Sequence, residues 1–140
     1  MAGPATPLSA LAAQCEDERT RIRRSFEHGA GAKPTLLALC ELADRSLQKV
    51  FQDALKRHNS QAGGFGLLAL GGYGRRMLFP YSDLDILFLF ANDKAEEEFR
   101  PLISEFSRTM WDLGFRVSSA GRTIDECKRI EEDNAEFHLA

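Results

Sequence analysis

Hydrophobic positions in the first third of the chain recur every three or four residues. Leu8, Leu11, Cys15, Ile22 and Phe26 keep that spacing until Gly29. After a short joint at 29–33, Leu36, Leu39, Cys40, Ala43, Leu47, Val50, Phe51, Ala54 and Leu55 repeat it. The spacing predicts two antiparallel helices. Thr6 as N-cap, with Pro7 at the first helical position, opens one; Pro34 opens the other, which runs to about His58. Beyond a polar loop at 59–64 the pattern changes to continuous apolar runs, Phe65–Leu70 and Leu84–Phe90. These are short and bounded by turn residues, which suits core strands. Helical spacing returns with Leu102, Phe106, Met110 and Trp111. It predicts a helix from about Lys94, capped by Asp93, to Leu113, with Gly114 as terminator and Pro101 imposing a kink or a later start. Phe115–Ser119 alternates as a short strand, and Thr123 with Glu126 forms a capping box that opens a last helix at Ile124. The predicted order is α-α-β-β-α-β-α, an α/β fold around one small sheet. Residues 1–62 are expected to be a helical segment packing on the sheet, and residues 63–140 the core, truncated at its C-terminus because the chain ends inside an apparent helix. Met1 to Ala5, small and patternless, are expected to be disordered.

Composition narrows this picture only a little. A chain of 140 residues is one modest domain, long enough for a real core. A net charge of −3 argues against a general nucleic-acid binder, since phosphate backbones call for a basic face. No apolar run approaches the roughly 18–20 residues that span a bilayer, and the N-terminus lacks a signal-peptide layout. Cys15, Cys40 and Cys127 are odd in number and scattered, which suits free thiols on helix faces in a reducing cytoplasm. His28, His58 and His138 are far apart and read as surface or helix-end residues. Arg21, Arg23 and Arg24, among Glu16, Asp17 and Glu18, read as a solvated helix face.

The chemistry concentrates between the two apolar strands. Gly71, Gly72 and Gly74 allow positive φ and close approach of backbone to a ligand, and the amides of such a turn can cradle phosphate. Asp83 and Asp85 alternate about Leu84, so an extended backbone turns both carboxylates to one face. Two acids at the head of an apolar strand repel each other and resist burial unless a cation lies between them. Mg²⁺ suits that donor set, being held by one or two carboxylates and substrate phosphates. The order strand, glycine turn, Asp-x-Asp, strand therefore points to phosphoryl or nucleotidyl transfer.

The stretch GGYGRRMLFPYSDLDIL resembles the motif of the polymerase-β-like nucleotidyltransferase superfamily, and within it the N-terminal catalytic domain of the bacterial protein-PII uridylyltransferases. Trp111-Asp112-Leu113-Gly114-Phe115 and Gly121-Arg122-Thr123-Ile124-Asp125-Glu126-Cys127 resemble that family's segment after the catalytic strands. The resemblance implies a Mg²⁺-dependent transfer of UMP from UTP to a tyrosine hydroxyl of a PII-type signalling protein of nitrogen regulation, with pyrophosphate leaving. It assigns catalysis and metal binding to Asp83 and Asp85, and nucleotide binding to Gly71, Gly72, Gly74, Arg75 and Ser82. Tyr73, Tyr81 and Arg122 are weaker candidates for the nucleotide's surroundings. The chain departs from the family in two places. Arg76-Met77 stand where Gly-Glu is usual, and the candidate strand from Phe115 has no third acid. Two alternatives follow: a catalytically degenerate module that binds nucleotide or a partner protein, or a nucleotidyltransferase with another acceptor. Little turnover is expected from these 140 residues alone.

Overall fold

A computed structural model describes residues 7–58 and 63–129. The expected Thr6 cap, the disorder of Met1–Ala5, residues 59–62 of the loop, the course of the last helix beyond Arg129 and His138 all lie outside them. Two long helices come first, α1 (Leu8–Glu27) and α2 (Ala32–Arg57). Strand β1 (Phe65–Ala69), a four-residue helix α3 (Gly71–Gly74) and strand β2 (Leu84–Phe90) follow. Helix α4 (Asp93–Asp112), strand β3 (Val117–Thr123) and helix α5 (Ile124–Lys128) complete the described chain. The α/β architecture is the expected one, with α3 as an addition inside the glycine turn.

The sheet has the order β1-β2-β3, with β2 central, antiparallel to β1 and parallel to β3. Along β2, Leu84, Ile86, Phe88 and Phe90 are buried while Asp85, Leu87 and Leu89 are only partly covered. That alternation gives the sheet a core face and a more open face, and Asp85 belongs to the second. On the core face Phe65 stacks on Phe51 of α2 and Phe99 of α4, at ring distances of 5.1 and 4.9 Å. Phe106 meets Phe51 and Phe88 edge-on, so α2 and α4 are joined to the sheet through one aromatic cluster. Helix α1 packs on α2, and Arg19 ties it to the end of α4: its Nη2 donates to the Leu113 carbonyl at 2.7 Å, with the guanidinium 4.5 Å above the Phe115 ring.

Local chemistry explains where each element stops. At the end of α4, Gly114 takes φ +84; its amide donates to Trp111 and that of Phe115 to Met110, a Schellman closure with both Phe115 and Met110 buried. Phe115 thus belongs to the helix terminator, and the strand expected at Phe115–Ser119 instead runs Val117–Thr123, as far as pairing with β2 continues. The same closure follows α1, where Gly29 at φ +102 donates to Phe26 and Ala30 to Ser25. Asn92, rather than Asp93, caps α4, its side chain accepting from the Ala95 amide at 2.9 Å. The helix also runs through Pro101 without a break. Both Pro101 and Glu97, whose carbonyl loses its amide partner, are exposed, a setting in which the missing bond is least costly. Pro34 falls within the first turn of α2, which begins two residues earlier than expected, because a first-turn N–H needs no partner in the helix. The capping box of Thr123 and Glu126 is formed in both directions. His28 and His58 are the C-cap residues of α1 and α2. Cys15, Cys40 and Cys127 are free thiols, the first two buried.

Candidate active site

The site forms where β1 ends, the glycine turn reverses the chain, and β2 begins. The Leu70 amide donates to the Asp85 carbonyl at 2.8 Å, extending the β1–β2 pairing by one step and setting Gly71 beside Asp85. Gly71 has φ +57, a conformation that disfavours any side chain. An ideal Cβ there would stand 3.3 Å from Asp85 Cγ and closer still to Oδ2, so the bare α-carbon is the wall against which this carboxylate rests. Gly74 packs the other way: a Cβ on it would come within 2.6 Å of the Ala69 carbonyl oxygen. The Gly74 amide donates to Leu70 at 2.7 Å and the Arg75 amide to Gly71 at 3.1 Å. The amides of Gly71, Gly72 and Tyr73, in the first turn of α3, have no carbonyl one turn back within that helix.

Gly72, Arg75, Ser82, Asp83 and Asp85 line one cleft of about 390 Å³, together with Tyr73, Met77, Leu78 and Phe79. The turn and the two acids are thus brought together, while Gly71 stands behind Asp85 and Gly74 against β1. Ser82 closes a turn with its amide on the Phe79 carbonyl at 3.1 Å. Pro80 is second in that turn and Tyr81 third, with φ +66, a place where glycine or asparagine is usual. Tyr81 is 92 % exposed. Leu78, Phe79 and Ser82 also line a larger, mostly apolar hollow of about 560 Å³, so the 78–82 segment is a wall between two cavities. Arg122 pairs in register with Leu89, four positions beyond Ser118, the partner of Asp85. That is on the order of 13 Å along the strand, at the far end from the acids.

Two charged residues that the sequence reading left unassigned meet the site. Arg116 Nε lies 3.1 Å from Asp83 Oδ1; no acid or spacing rule marks it, because the contact depends on β3 lying parallel beside β2. Both side chains are well exposed, and such a pair contributes about 0–1 kcal/mol. The second is Asp44, on α2, which accepts from the Tyr73 hydroxyl at 2.5 Å and is ion-paired with Arg76. Burial, and then the hydrogen bond to Asp44, push the Tyr73 hydroxyl far above its usual range, so it stays a donor. Arg76 takes φ +62, which accounts for the glycine usual at this place in the pattern quoted above. Register sets Ser118 beside Asp85, so β3 brings no acid there. Among the described residues no group of three or more His, Cys, Asp and Glu is placed to hold a metal ion. The donor set is therefore two carboxylates open to one cleft, which suits a hard divalent cation completed by substrate oxygens. Among the described residues no helix is long and apolar enough to cross a membrane.

Comparison with known proteins gives the family. A family model described as "Putative nucleotidyltransferase DUF294" matches residues 17–137. The chain is 34% identical over 124 residues to a bifunctional uridylyltransferase/uridylyl-removing enzyme of Pseudomonas putida (strain W619), covering 88% of this chain and 13% of that protein. It is 35% identical over 112 residues to the enzyme of the same name from Acinetobacter baumannii (strain AYE), covering 79% of this chain and 12% of that protein. The chain therefore spans about an eighth of the length of these relatives. No solved structure matches it. With the match running from the second half of α1 through α2 and the sheet, the chain belongs to the DUF294 family of nucleotidyltransferases.

Proposed function

We propose that this domain transfers UMP from UTP to a hydroxyl of a PII-type signalling protein, releasing pyrophosphate. The observation that carries the reading is the Asp85 carboxylate lying against the side-chain-free Gly71, in the lining of a cleft shared with Asp83, Arg75 and Ser82. The base is the one in the names of the relatives, and the acceptor is the one the family resemblance implies. Asp83 and Asp85 would hold Mg²⁺, which when bound neutralises triphosphate oxygens and makes the α-phosphorus easier to attack. The first-turn amide of Gly72, which lines the cleft, donates to phosphate oxygens, and the exposed Arg75 guanidinium balances charge on the departing pyrophosphate. The Ser82 hydroxyl is a further donor to phosphate. The acceptor oxygen forms a bond to the α-phosphorus as the bond to the bridging oxygen of pyrophosphate breaks. Positioning and electrostatics thus carry the rate.

A second reading has one specific observation behind it. Arg116 already neutralises Asp83 and β3 supplies no third acid, as suits a domain that binds nucleotide without transferring it. One experiment separates the two. Each of the four nucleoside triphosphates is titrated with Mg²⁺ while thermal stability and pyrophosphate release are followed. The transferase reading expects selective stabilisation by UTP, with pyrophosphate release in the presence of the acceptor, and loss of both in Asp83→Asn. Stabilisation without release favours the silent module, and indifference to every triphosphate sinks both.

A further inference from the structure

Helix α3 poses a mechanical problem. Three of its four residues are glycines, so Tyr73 is the single side chain by which the rest of the fold can grip it. A turn this rich in glycine has more backbone freedom to lose than any other sequence, and its pose must be held from outside. Tyr73 is 4 % exposed, and its hydroxyl donates to Asp44 Oδ1 at 2.5 Å. The other carboxylate oxygen of Asp44 takes Arg76 Nη1. A single side chain on α2 therefore holds the chain on both sides of Gly74 and Arg75. The second of these lines the cleft, whereas Asp44 does not. Both oxygens of Asp44 are engaged with the turn, and Arg76 sits in a left-handed conformation that a non-glycine residue keeps only when its surroundings hold it there.

From this we infer that Asp44 is a positioning residue for the candidate active site, acting through Tyr73 and Arg76 to set the glycine turn and the direction of Arg75. The inference rests on the functional reading above only for its consequence, nucleotide affinity; the grip itself is tested separately. The experiment uses the full chain with Asp44→Ala, Asp44→Asn and Tyr73→Phe, and two measurements beside the melting temperature. The first is limited trypsin cleavage after Arg75 and Arg76, at a temperature where every variant remains folded. The second is the affinity for UTP with Mg²⁺.

Asp44→Ala is expected to speed cleavage at the turn about 10-fold and to weaken UTP binding by a similar factor, with cleavage elsewhere unchanged. Asp44→Asn, which keeps an acceptor for Tyr73 but loses the charge facing Arg76, falls between it and the parent chain. Tyr73→Phe combined with Asp44→Ala is no worse than Asp44→Ala alone, because the two remove one contact. If Asp44→Ala does not fold, Asp44→Asn and Tyr73→Phe carry the test. A purely structural Asp44 would lower the melting temperature while leaving turn cleavage and affinity as in the parent chain, and that result overturns the inference. If the parent chain ignores UTP, the functional reading fails, and the cleavage rates alone decide for or against the grip.

Discussion

Replacing Gly71 by alanine tests the contact on which the site is built. Two separable costs follow from the geometry. Alanine at φ +57 is disfavoured by about 1–2 kcal/mol. The new methyl also overlaps Asp85 Oδ2 and stands 3.3 Å from Cγ, so the carboxylate must rotate off its rotamer, at roughly 1 kcal/mol, or swing away. The sum, about 2–3 kcal/mol, corresponds to a fall in melting temperature of roughly 5–10 °C for a chain of this size. The cost to binding is out of proportion to that. On the proposed role of Asp85 in holding the cation, a displacement of about 1 Å should weaken the productive complex on the order of 100-fold.

Gly74→Ala is the contrasting variant. Its methyl would meet the Ala69 carbonyl, 2.6 Å from the oxygen and 3.0 Å from the carbon, and that backbone is fixed by the pairing of Ala69 with Ile86. It is expected to cost about 3 kcal/mol or more in stability. The folded fraction, however, should retain far more of its affinity for UTP with Mg²⁺ than Gly71→Ala does. The sharpest assay is a double-mutant cycle by urea unfolding. In an Asp85→Ala background the Gly71→Ala substitution meets no carboxylate, so its cost falls to the backbone part and a coupling of about 1 kcal/mol appears. Equal costs of Gly71→Ala in the two backgrounds would refute the argument that the glycine exists to admit Asp85.

Three further outcomes follow from single contacts. Tyr81→Asn, at a φ of +66 and with the ring 92 % exposed, should be neutral to stabilising by about 0.5–1 kcal/mol in thermal unfolding; a clear loss of stability would mean the ring packs on something in solution. Arg116→Gln should change stability by less than about 1 kcal/mol while tightening Mg²⁺ binding a few-fold by freeing Asp83, as read by calorimetry; weaker Mg²⁺ binding would refute competition between the guanidinium and the cation. Burial alone would raise the Glu105 carboxyl, but hydrogen bonds from His58, at 2.5 Å, and Arg57 outweigh it and hold the group below its usual range. A carboxylate lowered by folding stabilises above its unfolded pKa, about 4.3, and loses that contribution as the pH falls through the folded value. Glu105→Gln should therefore lower the urea midpoint at pH 7, with the gap to the parent chain closing as the pH falls below the usual carboxylate range and through the lowered folded value. A constant gap would show that the tie between α2 and α4 does not depend on that charge.

What was legible in the sequence is what one element decides for itself. The helices α1, α2 and α4, the apolar run of β2 and the Thr123–Glu126 box depend on residues a few positions apart, and each formed where its spacing predicts. Leu8, Phe26 and Trp111, counted in the helical stripes, are nevertheless exposed, because what covers a stripe is decided by the packed fold. The ends of β3 did not, because Gly121 and Arg122 are strand residues only by virtue of lying beside Phe88 and Leu89. Asp44 and Arg116 escaped for the same reason. Each reaches the site from an element whose position is a property of the packed fold, 29 residues from Tyr73 in one case.

Arg76 shows how far such partners change the meaning of a sequence. Set against the family pattern alone, an arginine in place of glycine looks like decay of the motif. Its φ of +62 shows that the backbone still makes the turn that glycine would make freely, and the Asp44 carboxylate is where the added side chain finds its partner. Arg76 thus holds a backbone conformation that glycine adopts freely, and its side chain adds a tie between α2 and the turn. Met77, where the pattern carries an acid, is a different matter: it lines the cleft and is 48 % exposed, so the charge usual there is missing from the cavity wall itself. Of the two departures, only the second alters the electrostatics of the cleft wall. Met77→Glu should accordingly shift triphosphate affinity with little effect on stability, whereas Arg76→Gly should keep the course of the turn but, with one of its two ties to Asp44 gone, open it to faster trypsin cleavage after Arg75.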